Sequence, residues 1–503
     1  MSLIGSRAGL RRDPYLITVI AITGLLLLLM QWASGAWTAE FDGNPDEAAQ
    51  FLSGRMLWEY LHDLPVGSPM QWAGQYYLHY PKIAIGHWPP GYPMLEALWS
   101  FAFGSSRPSA MALQWIIGVG AVAALYRLLR PRFPLPVTFA ILLMVMATRV
   151  FQEGLSLAMA DLACLLASIL FMHAMLRLIE TPDSRSIILL FVSLFAAAMI
   201  KGTAICLFPV PLIVLLACGR RLPSRAGWGI AGGIGVVAIC AAWYALSTNV
   251  VYWGGMTNSM PWPIGNLGGL TGWGFVIFAA LGLRREPLSI LAASMIGCAA
   301  GVSFFVRAMN DPRHWIVVLP AILILNGYAV TSFPRRYVAV AMVPAVALFS
   351  FAWFHQTRTG YSDLIHQLRL PVRMLISGSS LDEGACIVEI ATAERYPGSF
   401  VVRASKALSK SGWNGEDYRL TATTPDEVSH RLDELAIDTV AVDSAASPPR
   451  PDQVLLISML KSSPAWRPCA SSRNLTAYCR TLPPVVPRKP IVLDAGGLHL
   501  EER

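Results

Sequence analysis

The stretch LITVIAITGLLLLLMQW, residues 16–32, holds no charged side chain and follows Arg7, Arg11 and Arg12. A bilayer core about 30 Å thick takes roughly 20 apolar residues in helical form, so this run reads as a membrane span. It is long for the apolar core of a signal peptide, and no clean small-residue cleavage site follows it. An uncleaved first helix is therefore expected. Working outward from it, spans are expected to start near Pro14, Ala110, Pro134, Ala158, Ser186, Thr203, Ala226, Leu270, Leu288, Trp315 and Tyr337. That makes about eleven helices on the length criterion alone.

The basic residues give the expected orientation. With the N-terminus in the cytoplasm, Arg127, Arg130 and Arg132 fall inside, as do Arg177 and Arg185. Arg220, Arg221 and Arg225, then Arg284 and Arg285, then Arg335 and Arg336 occupy the later inside turns. The opposite loops carry far fewer, which is the pattern that short cytoplasmic loops follow.

Composition agrees. Of 503 residues 54% are hydrophobic and 14% charged, with a mean hydropathy of +0.50. A soluble domain carries about 25% charged residues. The net charge of +8 comes in short arginine clusters between apolar runs, without a dense basic stretch interleaved with aromatics, so nucleic acid is set aside as a partner. The eight cysteines form no CxxC pair and there is no HExxH. Cys164, Cys206, Cys218, Cys240 and Cys298 lie in apolar runs as small packing residues. Cys469 and Cys479 lie in the tail, where export would permit a disulfide between them.

Two segments are not spans. The outer loop 36–109 is far longer than a connector needs to be. It contains an expected amphipathic helix from Asp46 to Leu61, with Phe51, Leu52, Leu57 and Tyr60 on one side, suited to lie in the interface. The tail after Gln356 loses the long apolar runs. Strands are expected at Ala385–Ile390, Phe400–Val402 and Thr439–Val442, with a helix opened by Thr424-Pro425-Asp426-Glu427. The division expected is a membrane domain over 1–356 and a soluble α/β domain over 357–503, outside the cytoplasm.

The polar residues hardest to explain by packing fall on the outward side. Asp46 and Glu47 stand in Gly43-Asn44-Pro45-Asp46-Glu47, where they serve either as first-turn helix acids or as carboxylates that take a proton or hold a metal. Lys82 follows His79-Tyr80-Pro81, and His87-Trp88-Pro89-Pro90-Gly91-Tyr92-Pro93 comes next. Such a segment anchors at an interface, or grips a phosphate through its cations. Asp161 opens one apolar helix and Lys201 lies between two others. Charges so close to hydrocarbon are functional candidates, against capping for Asp161 and snorkelling for Lys201. Asp311-Pro312-Arg313-His314-Trp315 begins a late span, and the guanidinium of Arg313 suits phosphate. Its rival reading is a local Asp311–Arg313 pair. Arg149 and Glu153 are weaker candidates in the same outward set.

These stretches resemble, in order over roughly residues 14–330, the landmarks of GT-C glycosyltransferases. The nearest branch holds the protein O-mannosyltransferases, the lipid A aminoarabinose transferases and the rhizobial galacturonosyltransferases. Asp46-Glu47-Ala48-Ala49-Gln50-Phe51 resembles the family's first outer loop, and His87-Trp88-Pro89-Pro90-Gly91-Tyr92-Pro93 its Pro-Pro-Leu-Tyr segment. Met159-Ala160-Asp161, Lys201-Gly202 and Asp311-Pro312-Arg313-His314-Trp315 resemble the later landmarks. His87-Trp88 stands where the aminoarabinose enzymes place a lysine before Pro-Pro, and His314 where a tyrosine is usual.

The resemblance implies a mainly α membrane protein of GT-C type and an inverting transfer of a sugar from a polyprenyl-phosphate carrier. The acceptor would be a glycolipid such as lipopolysaccharide, or a protein, at the periplasmic face of a bacterial inner membrane. Asp46, with Glu47 and Asp161, would form the catalytic set. Lys82, His87, Tyr92, Lys201, Arg313 and His314 would bind substrate and the carrier phosphate. A divalent cation at Asp46 and Asp161 is left open. The rival class is a polytopic transporter or flippase, which would place its charges near the midplane and show paired halves. A membrane-anchored scaffold is a third class, and one span would already serve it.

Overall fold

The computed structural model describes residues 13–84, 88–218, 265–305, 311–334, 354–394, 396–410, 418–444, 449–483, 488–495 and 498–502. Helix α1 (Pro14–Ala33) opens on Asp13, whose carboxylate accepts the Tyr15 N–H, with proline in the first turn where its missing N–H costs nothing. Ile17, Ile22, Leu25 and Trp32 stand exposed along it, a face that only hydrocarbon would solvate well. Helices α2 (Glu47–Asp63), α3 (Pro69–His79) and α4 (Gly91–Phe103) belong to the outer loop. The bundle continues with α5 (Arg107–Leu129), α6 (Leu135–Ala147), α7 (Arg149–Ser156), α8 (Asp161–Glu180), α9 (Ser184–Ile200) and α10 (Val210–Ala217). Beyond these lie Gly265–Thr271, Trp273–Ala280, Pro287–Phe305 and a late 3₁₀-to-α run, Pro312–Val318 into Leu319–Val330.

Among the described residues, four helices are long and apolar enough to cross a membrane: α1, α5, α8 and Pro312–Val330. Helices α6 and α7 meet at 63° and make a fifth if taken as one broken span. Ser184–Ile200, Gly202–Ala217 and Pro287–Ser303 are apolar but shorter. The expected span at Leu270 is two short pieces, because Gly272 sits at φ +86 between them and a left-handed residue interrupts the helix. The spans expected near Ala226 and Tyr337 lie outside the described residues. Among the described residues four or five full-length spans therefore stand beside shorter apolar helices, which the run-length criterion counts equally.

The outer-loop helix also departs from expectation. Every residue from Glu47 to Met56 is buried, so α2 does not lie half-immersed in an interface. It packs against α4 on one side and against the helix Ser380–Ala393 of the tail on another. Gly54 permits the first contact, since a Cβ there would stand 2.8 Å from Glu96 Cβ. Gly384 permits the second, since a Cβ there would stand 3.0 Å from Ala48 Cβ. The amphipathic pattern was real, yet the polar residues Gln50, Ser53, Arg55 and Glu59 found partners inside the protein rather than water.

In the tail, strands β1 (Arg373–Ser377), β2 (Phe400–Arg403), β3 (Ser409–Lys410), β4 (Arg419–Leu420), β5 (Thr439–Asp443), β6 (Trp466–Ser472) and β7 (Leu475–Arg480) appear. Five of them form one sheet in the order β2-β1-β5-β7-β6. Strand β1 runs parallel to β2 and β5, while β7 is antiparallel to β5 and β6. The strands expected at Phe400–Val402 and Thr439–Val442 are present, but Ala385–Ile390 is helical, inside Ser380–Ala393. Two neighbouring parallel strands need a crossover, and this segment supplies it. Ser379 and Asp382 fasten its start with a reciprocal capping box. The helix expected at Thr424 is Pro425–Glu434, with Thr424 Oγ1 accepting the Glu427 N–H at 3.2 Å. Cys469 and Cys479 are joined by a disulfide across β6 and β7.

The tail is fastened to the loop at several points. Glu40 accepts hydrogen bonds from the Thr359 hydroxyl at 2.6 Å and from the Gly360, Tyr361 and Ser362 N–H groups. Burial alone would raise its pKa, but the Thr359 hydroxyl and those N–H groups hold it below the ordinary value. Arg55 donates to Glu394 O at 2.9 Å, Tyr80 Oη to Glu394 Oε2 at 2.6 Å, and the His79 ring stacks on Phe400.

Candidate active site

The first turn of α2 organises the site. Asp46 precedes that helix, but its carboxylate makes no capping hydrogen bond. Instead Asp46 Oδ2 pairs with Arg313 Nη2, whose neighbouring Nη1 donates to Asn44 Oδ1 at 3.1 Å. Asn44 Oδ1 also accepts the Asp46 N–H at 3.0 Å. Next along the chain, Glu47 Oε1 accepts the Ala158 N–H at 3.0 Å, and Gln50 Oε1, on the following turn, the Ala160 N–H at 2.8 Å. Residues three apart share a helix face, so Glu47 and Gln50 together clamp the segment that delivers Asp161.

Asp161 opens α8 and pairs with Lys201, which directly follows α9 in extended backbone. Lys201 Nζ also lies 3.4 Å from the carbonyl oxygen of Arg313. The four charged residues therefore form one continuous line, Asp46, Arg313, Lys201 and Asp161, drawn from four separate helix ends. Lys201 turns inward to a carboxylate rather than out to an interface. Asp311 takes the role expected of a local partner, with its carboxylate accepting the Arg313 N–H at 2.9 Å and lying 3.4 Å from Arg313 Nε. His314 sits on the same turn, its N–H donating to Asp311 O, and Trp315 beside it is fully buried and anchors the turn.

The other expected site residues stand elsewhere. Glu47 is completely buried and pairs with Arg107, so its chemistry in the fold is that of a structural clamp. Tyr92 is buried among helices, donating to Glu96 at 3.0 Å and accepting from Gln114 at 2.6 Å. Lys82 turns towards the tail, where Nζ reaches Ser380 O and Oγ, both at 3.1 Å. His87 lies outside the described residues. Arg149 and Glu153 form their own exposed pair.

Arg107, Asn44, Gln50 and Gln356 are contributors that the sequence reading did not single out. Arg107 bonds Glu47, the carbonyls of Ala36 and Ser156, and Gln356 Oε1. A signal for it existed: a charge at the start of an apolar helix needs a reason. Asn44 and Gln50 gave no such signal, because short neutral side chains are ordinary in turns and helices.

Burial, followed by repulsion from Arg403, pushes the Lys82 ammonium down to about 8, with Glu383 and Asp46 opposing the shift. The folded value lies below the ordinary 10.5, so between about 8 and 10.5 the unfolded chain binds more protons. Stability is expected to rise with pH through that window. Denaturation midpoints measured from pH 7 upward should show the rise in the unmutated protein and a flatter profile in Lys82→Met. The same slope in both would place the titration elsewhere.

The family described as dolichyl-phosphate-mannose-protein mannosyltransferase matches residues 87–245. No curated protein matches the chain in sequence. Among solved structures, ArnT from Cupriavidus metallidurans bound to undecaprenyl phosphate superposes with a TM-score of 0.58 at 12% identity, over 93% of this chain and 99% of that one. Its apo form gives 0.56 at 12% identity, over 91% and 98%. This is the GT-C glycosyltransferase fold. An Archaeoglobus fulgidus oligosaccharyltransferase tethered to an acceptor peptide adds a TM-score of 0.51 at 12% identity, over 86% of this chain and 69% of that one.

The charged line does not suit a divalent cation. Asp46 faces Arg313 and Asp161 faces Lys201, so each carboxylate that would serve as a ligand already carries a cation's charge against it. Among the described residues no three His, Cys, Asp or Glu side chains converge. A hard cation takes about six oxygen ligands, and here ammonium and guanidinium groups stand between Asp46 and Asp161.

Proposed function

We propose that the protein is an inverting glycosyltransferase that moves a sugar from a polyprenyl-phosphate carrier to an acceptor hydroxyl at the periplasmic face. The observation that carries this reading is the line Asp46–Arg313–Lys201–Asp161, two carboxylates and two cations gathered from four helix ends. Inverting transfer needs a base for the acceptor and fixed positive charge for the leaving phosphate, and it needs them side by side. The acceptor oxygen attacks the anomeric carbon as the bond from that carbon to the carrier phosphate breaks. The electron pair of the broken bond leaves with the phosphate oxygen, and the acceptor proton passes to Asp46. Arg313 and Lys201 meet the charge that develops on the phosphate, at a site partly screened from water.

The ArnT relative bound to undecaprenyl phosphate supports a polyprenyl carrier here. The Cys469–Cys479 disulfide suits an oxidising compartment, and the arginine clusters between the apolar runs suit cytoplasmic turns. The sheet-bearing tail, pinned to the loop that holds Asp46, would then lie in the periplasm beside the acceptor.

The test is a transfer assay on purified protein, offering radiolabelled polyprenyl-phosphate sugars with an extract of the organism's own envelope lipids and proteins. Label passing to an acceptor establishes the reaction and names both substrates. A folded protein that moves label from no donor would remove this reading in favour of transport, which a vesicle flux assay would then measure.

A further inference from the structure

Arg313 divides its guanidinium fork between two residues of one turn. Nη2 pairs with Asp46 Oδ2, while Nη1 donates to Asn44 Oδ1 at 3.1 Å. That same Asn44 oxygen accepts the Asp46 N–H at 3.0 Å, so Asn44 fixes the base and the cation relative to each other. The arrangement poses a difficulty for the proposed reaction. A carboxylate oxygen engaged with a guanidinium is not turned to an acceptor hydroxyl, and a guanidinium engaged with a carboxylate is poorly placed for a phosphate. Both groups become available when the carrier phosphate takes the place of Asp46 at Nη2.

We propose that Asn44 is the positioning residue for this exchange. It holds Nη1 throughout, as Nη2 passes from the Asp46 carboxylate to the carrier phosphate. The guanidinium is planar and rigid, so fixing one branch fixes the direction of the other. A neutral amide oxygen suits the task because it binds the cation without adding negative charge beside the arriving phosphate. The donor thereby switches on the base: Asp46 is released to take the acceptor proton only when a phosphate is in place to leave. This inference rests on the proposed transfer reaction and assigns the order of its events.

The exchange can be separated from a plain turn role by the choice of variant. Asparagine and aspartate support such turns equally well, because each bonds the backbone two residues on. If Asn44 only shapes the turn, Asn44→Asp behaves as the unmutated protein. If it pivots Arg313 towards a phosphate, the added carboxylate competes for the guanidinium and repels the donor. Asn44→Asp is then expected to raise the donor KM, and the Kd for undecaprenyl phosphate in detergent, by at least about tenfold with an unchanged melting temperature. Asn44→Ser keeps a neutral turn acceptor but is too short to hold Nη1. It is expected to lower kcat with little change in donor KM.

Donor KM and undecaprenyl-phosphate Kd equal to those of the unmutated protein in Asn44→Asp would overturn the proposal. So would a fall in melting temperature in both variants with normal kinetics, which would mark Asn44 as a turn residue. The binding arm keeps the two readings distinguishable. Undecaprenyl phosphate bound tightly by the unmutated protein and weakly by Asn44→Asp supports the pivot even if no sugar is transferred. No binding by the unmutated protein would remove both readings.

Discussion

Asp46→Asn is expected to leave the protein folded and membrane-inserted while transfer falls by about a thousandfold, within the range that loss of a general base produces. The fold should tolerate the change because Arg313 keeps Asn44 at 3.1 Å and Asp311 at 3.4 Å, and because the Asp46 side chain caps no helix. Removing the base does not remove the cations, so affinity for the carrier phosphate should hold or tighten as Arg313 loses its competitor. The measurement is initial rate at saturating donor and acceptor, beside undecaprenyl-phosphate binding and a melting curve. Normal turnover by the variant would take Asp46 out of the mechanism. Loss of turnover together with loss of folding would make Asp46 a structural residue.

The second large effect concerns stability. Arg107 is buried and ties four pieces of chain together through Glu47, the carbonyls of Ala36 and Ser156, and Gln356. Gln356 in turn donates its backbone N–H to Ser34 O at 2.8 Å and its side-chain N–H to Ser156 O at 2.9 Å. Arg107→Met would strand the Glu47 carboxylate at zero exposure. Breaking a buried pair by deleting one partner costs about 3–5 kcal/mol, most of it from the uncompensated charge that remains. A marked fall in melting temperature is expected, with earlier proteolysis of the outer loop. Adding Glu47→Gln to Arg107→Met should recover part of the loss, because the stranded charge is then gone. A melting temperature equal to that of the unmutated protein in Arg107→Met would show that the knot contributes nothing net.

These two residues divide the neighbouring acids by role. Asp46 and Glu47 are adjacent in sequence and look interchangeable there. Side chains about 100° apart around a helix meet different surroundings. One faces Arg313 at the site, and the other points back into the seam between the loop, α5 and the tail.

Much of this protein was legible in the order of its residues. Apolar runs such as 16–32 announce spans because hydrocarbon accepts little else, and α1, α5, α8 and Pro312–Val330 emerged where expected. Asp46, Asp161, Lys201 and Arg313 could be picked out one by one, since a charge beside an apolar run needs a reason. The helix at Thr424 and the strands at Phe400 and Thr439 followed from local capping and alternation.

What the sequence could not supply was partnership. It did not show that Arg313, some 267 residues along the chain from Asp46, closes onto that carboxylate, or that Lys201 bridges to Asp161. It did not show that Glu47 and Tyr92 are spent on packing, that Lys82 turns to the tail, or that α2 is enclosed by α4 and Ser380–Ala393. Ala385–Ile390 read as a strand because its apolar content suits either form, and only the need to cross between parallel β1 and β2 made it a helix. Periodicity and propensity are local, set within a few residues of backbone. Whether a polar side chain meets water, lipid or an opposite charge depends on chain segments hundreds of residues away, and that choice is made only when the helices pack.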